Sequence, residues 1–68
     1  MRYTKEEAVG QCIAQYVRAG GKEPQGRFLL RQELRTTSVN NLADALIHDG
    51  FASPYNAPAL AAALHSEE

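Results

Sequence analysis

Apolar residues recur at helical spacing along most of the sequence. The first such stripe consists of Val9, Cys12, Ile13, Tyr16 and Val17. Thr4 and Glu7 have the spacing of a capping box, in which each side chain bonds the backbone N–H of the other residue. Gly20 and Gly21 follow the stripe, and glycine is favoured just beyond the end of a helix. We therefore predict a first helix at about 4–19.

Two further helices are predicted on either side of a short polar break. The second, at about 25–35, contains three adjacent apolar residues, which cannot all share one helical face: Phe28, Leu29 and Leu30. Ser38 then offers an N-cap for a third helix at about 38–49, whose apolar stripe is Val39, Leu42, Ala43, Leu46 and Ile47. Gly50 suits the left-handed position that ends such a helix, and Phe51 can fold back onto its last turn.

A short alanine-rich helix is predicted at about 57–65, with Asn56 as its N-cap and Leu60 and Leu64 as its large anchors. Because alanine is small, this helix can pack closely on the first helix or on a second copy of the chain. The predicted fold is therefore all-α. It is a compact bundle of three main helices plus this short one, in a single domain spanning 1–68.

The predicted core is small. It comprises Val9, Cys12, Ile13, Tyr16, Val17, Phe28, Leu30, Leu34, Val39, Leu42, Leu46, Ile47, Phe51, Leu60 and Leu64. A domain of this size gains little net stability from its core alone, and regular helices or self-association commonly add to it. We therefore expect either a monomer or a homodimer.

Gly10 lies inside the first helix, where it is either a tolerated defect or the point of close approach of another helix.

Composition limits the cellular locations and the cysteine chemistry that are expected for this protein. A single cysteine, Cys12, excludes an intramolecular disulfide. No basic segment followed by an apolar segment indicates a signal peptide, and the longest apolar run, 57–64, is far shorter than the roughly 20 residues of a membrane span. We expect a cytoplasmic protein that does not enter a membrane.

Charge is strongly divided along the chain, although the net charge is only −1. Residues 1–35 hold all seven Lys and Arg and four acidic residues, whereas 36–68 hold four acidic residues and no Lys or Arg. The net charges of the two halves are therefore +3 and −4. We predict that partner binding uses the arginine ridge of the second helix or the polar face of the third: Arg27, Arg31 and Arg35, or Asn40, Asn41, Asp44 and His48.

Reactive groups are few. Asp44 and His48 are four residues apart and could pair, as in part of a hydrolytic triad. Ser38 and Ser53, however, sit at predicted helix ends, where they have capping roles. The Cys and His spacing matches no zinc site. We therefore expect no catalytic residue, no metal, no cofactor and no enzymatic activity.

The third helix ends with a pattern that resembles helix-turn-helix proteins, including winged-helix repressors: Val39, Ala43, Leu46, Gly50 and Phe51. The resemblance covers the predicted second and third helices and implies a DNA-binding regulator, in which an asparagine such as Asn40 could read adenine. The interval between Leu34 and Val39 is shorter than the usual turn of that family. The third helix also lacks the cations that neutralise phosphates.

Two functions follow from these observations. The first is a non-enzymatic protein-binding module, or a small regulator or inhibitor, that acts through a charged helical surface. Phages and mobile elements encode many such proteins, among them anti-CRISPR proteins that block a host machine. The alternative is a small helix-turn-helix DNA-binding transcriptional regulator. The expected partner is a protein whose identity the sequence does not give, and nucleic acid is the less favoured ligand.

Overall fold

The computed structural model describes residues 2–66, and within them the regular secondary structure consists of four α-helices and no strand. The predicted all-α fold of three main helices and a short C-terminal one is confirmed. The helices are α1 (Lys5–Arg18), α2 (Glu23–Thr36), α3 (Val39–His48) and α4 (Ala57–His65).

The predicted signals at both ends of α1 are realised. Thr4 Oγ1 accepts a hydrogen bond from the Glu7 backbone N–H, and Glu7 Oε1 accepts one from the Thr4 N–H, both at 3.1 Å. At the other end, Gly20 takes a left-handed φ of 102°, and the Gly21 N–H donates to the Tyr16 carbonyl at 3.0 Å. Together these bonds satisfy backbone groups that a helix end otherwise leaves unpaired.

Of the other three helices, α2 starts earlier than predicted, whereas α3 and α4 start where predicted but without the predicted side-chain caps. Helix α2 begins at Glu23, before the predicted position, because Pro24 fits the first turn, where no backbone N–H is needed. Ser38 occupies the N-cap position of α3 but makes no capping bond through its side chain. Asn56 likewise precedes α4 without capping it. Its Oδ1 instead accepts bonds from the backbone N–H and the hydroxyl of Ser53, at 3.0 and 3.1 Å, which closes the loop.

The end of α3 matches its prediction. Gly50 has φ 83°, the Phe51 N–H donates to the Leu46 carbonyl at 2.8 Å, and the Phe51 side chain is fully buried. The chain therefore turns sharply after α3 and carries Phe51 into the core. From there it leads to α4, which packs against both α3 and α1, while α1 also packs against α2.

The core is built more from alanine, and less from large side chains, than predicted. The predicted core residues Val17, Phe28, Val39 and Ile47 are 45%, 65%, 57% and 36% exposed, so placing them inside was wrong. Phe28 points outward because the core face of α2 takes Leu30 instead. On α3 the buried face is that of Leu42 and Leu46, and small residues fill much of the remaining interior: Ala8, Ala52, Ala57, Ala61 and Ala63.

Among the described residues, one polar side chain is also buried. Glu33 is 9% exposed, and its Oε2 accepts no hydrogen bond from the part of the chain that the structure describes. An acidic residue on the core face of α2 was not predicted. Burial of a carboxylate oxygen without a donor is destabilising.

Tyr16 joins the first helical hairpin to the rest of the fold. Its ring stacks on that of Phe51 with a centroid distance of 4.9 Å and an interplanar angle of 20°. The ring also lies close against two glycines. A Cβ atom at Gly26 would lie 2.7 Å from Tyr16 Cδ2, and one at Gly21 would overlap the same ring. The ring can occupy this position only because both residues lack a side chain.

Gly10 is different, since apart from its chain neighbours and the nearby backbone of α1, no described heavy atom would lie within 4 Å of a Cβ atom there. No other helix approaches it closely. Of the two interpretations of this glycine, the tolerated defect in α1 is the one that the structure supports.

Gly10→Ala and Gly26→Ala form a matched pair, because both replace a glycine inside a helix. Alanine should add helix stability at both positions, by about 0.5–1 kcal/mol. We expect Gly10→Ala to raise the free energy of unfolding by that amount. Gly26→Ala should lower it by about 1–3 kcal/mol, because the new methyl group forces the Tyr16 ring to move. Urea unfolding measures both, and equal stabilisation by the two changes would show that Tyr16 is not seated on Gly26.

Candidate binding groove between the first two helices

The arginine ridge lies beside a groove between α1 and α2. Arg27 and Arg31 line the groove together with four apolar residues, two from each helix: Val9, Ile13, Leu30 and Leu34. The groove encloses about 200 Å³. We call these six residues the α1–α2 groove. It combines an apolar floor with a basic rim.

Sequence spacing explains how the groove forms. Val9 and Ile13 are four residues apart on α1, and Leu30 and Leu34 are four apart on α2, so each pair lies on one side of its helix. The short connection at 19–22 folds the two helices into a hairpin. Arg27 and Arg31 are also four residues apart, each three residues before one of the leucines, so both arginines lie beside the leucines on α2.

A wider concavity adjoins the groove and shares Val9 and Arg27 with it. It has a volume of about 530 Å³, and its other lining residues are Lys5, Glu6 and Gly10. Gly10 is exposed and carries no side chain, so a bound chain can approach the α1 backbone closely there. The defect in α1 thus opens the surface next to the groove.

The three arginines are not equivalent. Arg27 Nε donates to Glu23 Oε1 at 3.0 Å, with both side chains more than half exposed, so this pair contributes little to stability. Arg31 forms no ion pair with another described residue and is exposed at the rim. Arg35 is exposed as well but does not line the groove. The structure therefore brings two of the three predicted arginines into one site.

The predicted polar face of α3 is a separate surface. Asn40, Asn41, Asp44 and His48 are all exposed, and none of them lines the groove. The predicted pairing of Asp44 with His48 is wrong, because His48 Nδ1 instead lies 3.0 Å from Oδ1 of the adjacent Asp49. Asp49 is the C-cap residue directly after His48, and its carboxylate is the one that the imidazole contacts. The aspartate–histidine unit that resembled part of a triad is therefore not formed.

A concavity that the sequence did not indicate lies near the start of α2. It has a volume of about 420 Å³ and is lined by Tyr16, Pro24, Gln25, Phe28 and Leu29. Phe28 was predicted to be in the core. The available signal was the run of three adjacent apolar residues, at least one of which had to face away from the main core.

The one cysteine offers no reactive thiolate. Cys12 is fully buried, and removal of the thiol from water raises its pKa to about 11. Since the thiolate is the nucleophilic form, this side chain is protonated throughout the neutral range. Among residues 2–66, no three His, Cys, Asp or Glu side chains lie together where they could hold a metal ion.

The geometry departs from a helix-turn-helix in two respects. Helix α2 ends at Thr36 and α3 begins at Val39, so only residues 37 and 38 separate them, whereas the motif has a turn of about three or four residues. Helix α3 also packs mainly against α4 and only slightly against α2.

Comparison with protein-family models, curated proteins and solved structures gave no significant match. No helix in the described part of the chain has both the length and the apolar character needed to cross a membrane. The functional inference therefore depends on the groove itself.

The burial of Cys12 predicts slow modification by a thiol reagent. At pH 8, native protein should react with Ellman's reagent at least about tenfold more slowly than protein unfolded in guanidinium chloride, because the thiol is both inaccessible and protonated. Stopped-flow absorbance measures both rates. Equal rates in the native and unfolded states would contradict this placement of Cys12.

Proposed function

We propose that the protein is a non-enzymatic protein-binding module and that the α1–α2 groove is its binding site. The observation that supports this proposal most directly is the placement of Arg27 and Arg31 beside an apolar floor. Helix-binding grooves combine these two features, because the floor takes the apolar face of a partner helix and the rim takes its charges. The partner chemistry that fits is an acidic amphipathic segment.

Arginine is well suited to such a rim. Its guanidinium group forms two parallel hydrogen bonds to a carboxylate and is only weakly hydrated, and arginine is enriched among residues that dominate binding energy. Arg31 is free to make such a contact, since no described acidic side chain pairs with it. Arg27 can exchange its exposed contact with Glu23 for a partner carboxylate at little cost.

The cellular role that fits this proposal is that of a small regulator or inhibitor. A protein of 68 residues can act by covering a surface that its target needs for another interaction. This mode of action requires no reactive group on the small protein. Small inhibitors encoded by phages and mobile elements are of this kind.

Nucleic acid is the competing ligand class. Phosphate neutralisation provides much of the affinity of proteins for DNA, and the exposed face of α3 carries Asp44 but no Lys or Arg. Arg27 and Arg31 alone provide a short cationic edge beside apolar side chains, which suits a protein partner better than a duplex. We therefore favour the protein partner.

The proposal is tested by quantitative affinity capture from the source cells with wild type, Arg31→Glu and Lys22→Glu. The two variants carry the same charge change, and Lys22 is exposed outside the groove. We expect Arg31→Glu to weaken binding of the captured partner by about tenfold or more, as for a central interface arginine. Lys22→Glu should bind as wild type does. Isothermal titration with the purified partner gives the affinities.

Fluorescence anisotropy with a random DNA duplex at low salt tests the alternative. We expect no saturable binding. Saturable binding that falls steeply with salt and is lost in Arg31→Glu would overturn the protein-binding proposal in favour of DNA. A captured partner whose affinity is the same for wild type and Arg31→Glu would show that the groove is not the binding site.

A further inference from the structure

Helix α3 exposes an apolar stripe that resembles a ligand for the α1–α2 groove. Val39, Ala43 and Ile47 are spaced four residues apart and so lie along one side of the helix. Val39 is 57% exposed and Ile47 36% exposed, with the half-buried Ala43 between them. We call these three residues the α3 stripe. Its exposure leaves two branched aliphatic side chains in water.

A carboxylate lies next to the α3 stripe. Asp44 follows Ala43 directly on the exposed side of α3, and its carboxylate forms no ion pair with another described residue. Arg31 at the rim of the groove likewise forms no ion pair with another described residue. A helix with an aliphatic stripe and a neighbouring carboxylate is therefore complementary to a groove with an aliphatic floor and a neighbouring guanidinium.

The two surfaces cannot meet within one chain. Helix α3 is fixed to the core through Leu42 and Leu46, which are fully buried, and it packs mainly on α4. The groove is formed by the other two helices. A contact between stripe and groove therefore requires two molecules.

We propose that copies of this chain associate head to tail, with the α3 stripe of one copy in the α1–α2 groove of the next. Such an interface is heterologous, because the surface that one molecule contributes differs from the surface that its neighbour contributes. The division of charge between the two halves of the chain supports this arrangement, since it brings the basic half of one copy to the acidic half of another. The inference goes beyond the proposed function because it concerns copies of the chain alone.

The small size of the α3 stripe and the α1–α2 groove limits the affinity expected for self-association. Helix α3 has 10 residues and is about 15 Å long at 1.5 Å per residue. One short helix in a shallow groove buries less surface than the roughly 1,200 Å² at the lower end of stable interfaces. The association is therefore weak and depends on protein concentration, with dissociation constants of about 10 µM to 1 mM, the range of transient contacts.

Sedimentation velocity over that concentration range tests the proposal with purified protein. Arg31→Glu alters the groove and leaves the stripe intact, whereas the double variant Asp44→Asn/Ile47→Gln alters the stripe and leaves the groove intact. All the changed side chains are exposed, and circular dichroism checks that each variant is folded. We expect wild type and the control Lys22→Glu to associate and each altered protein alone to stay monomeric.

Mixing the two altered proteins in equal amounts provides the decisive result. The intact stripe of Arg31→Glu meets the intact groove of the double variant, so the mixture should form heterodimers with an affinity close to that of one wild-type contact. It should form nothing larger, because the remaining stripe and groove are both altered. Failure of the mixture to associate would show that the two surfaces do not contact each other.

Two other outcomes would also overturn the inference. One is a wild-type protein that stays monomeric up to about 1 mM, the upper end of the range expected for a weak contact. The other is an association that neither altered protein loses. Neither outcome affects the capture experiment, which measures binding to a different protein, so failure of self-association and failure of the proposed function are distinguishable.

Discussion

The stack of Tyr16 on Phe51 is the contact on which the arrangement of the helices depends. Tyr16 belongs to α1, and Phe51 follows α3, so one aromatic pair at 4.9 Å connects the first hairpin to the second half of the chain. Gly21 and Gly26 give the tyrosine ring its space, one in the turn after α1 and the other in α2. The same ring thereby fixes where α2 lies against α1, and hence the shape of the groove between them. Alanine provides five of the thirteen buried apolar residues in the described structure, and Phe51 is the largest of the fully buried side chains.

The helices could be predicted because their signals are local. The capping box at Thr4 and Glu7 and the left-handed glycine at Gly50 involve residues within a turn of each other, and both appear as expected. The composition of the core could not be predicted in the same way. An apolar stripe shows which residues prefer burial, but the part of the stripe that is covered depends on the neighbouring helices. Helix α3 packs mainly against the alanine-rich α4, and in that arrangement Leu42 and Leu46 are fully buried whereas Val39 and Ile47 stay exposed.

The candidate site was predicted only in part, for the same reason. The spacing of Arg27 and Arg31 placed them on one side of a helix, and the structure agrees. Nothing in that spacing revealed the leucines and α1 residues beside them, because the groove is a product of helix packing. The pairing of His48 failed for a local reason, since the adjacent Asp49 competes with Asp44 for the imidazole.

The aromatic stack, rather than general apolar burial, holds the hairpin to the rest of the fold. A double-mutant cycle with Tyr16→Leu and Phe51→Leu tests it, with free energies of unfolding taken from urea titrations. Leucine keeps both positions apolar and removes the ring–ring contact. We expect a coupling energy of about 0.5–1.5 kcal/mol between the two positions, as for a specific aromatic pair. Additive effects of the two substitutions would contradict it.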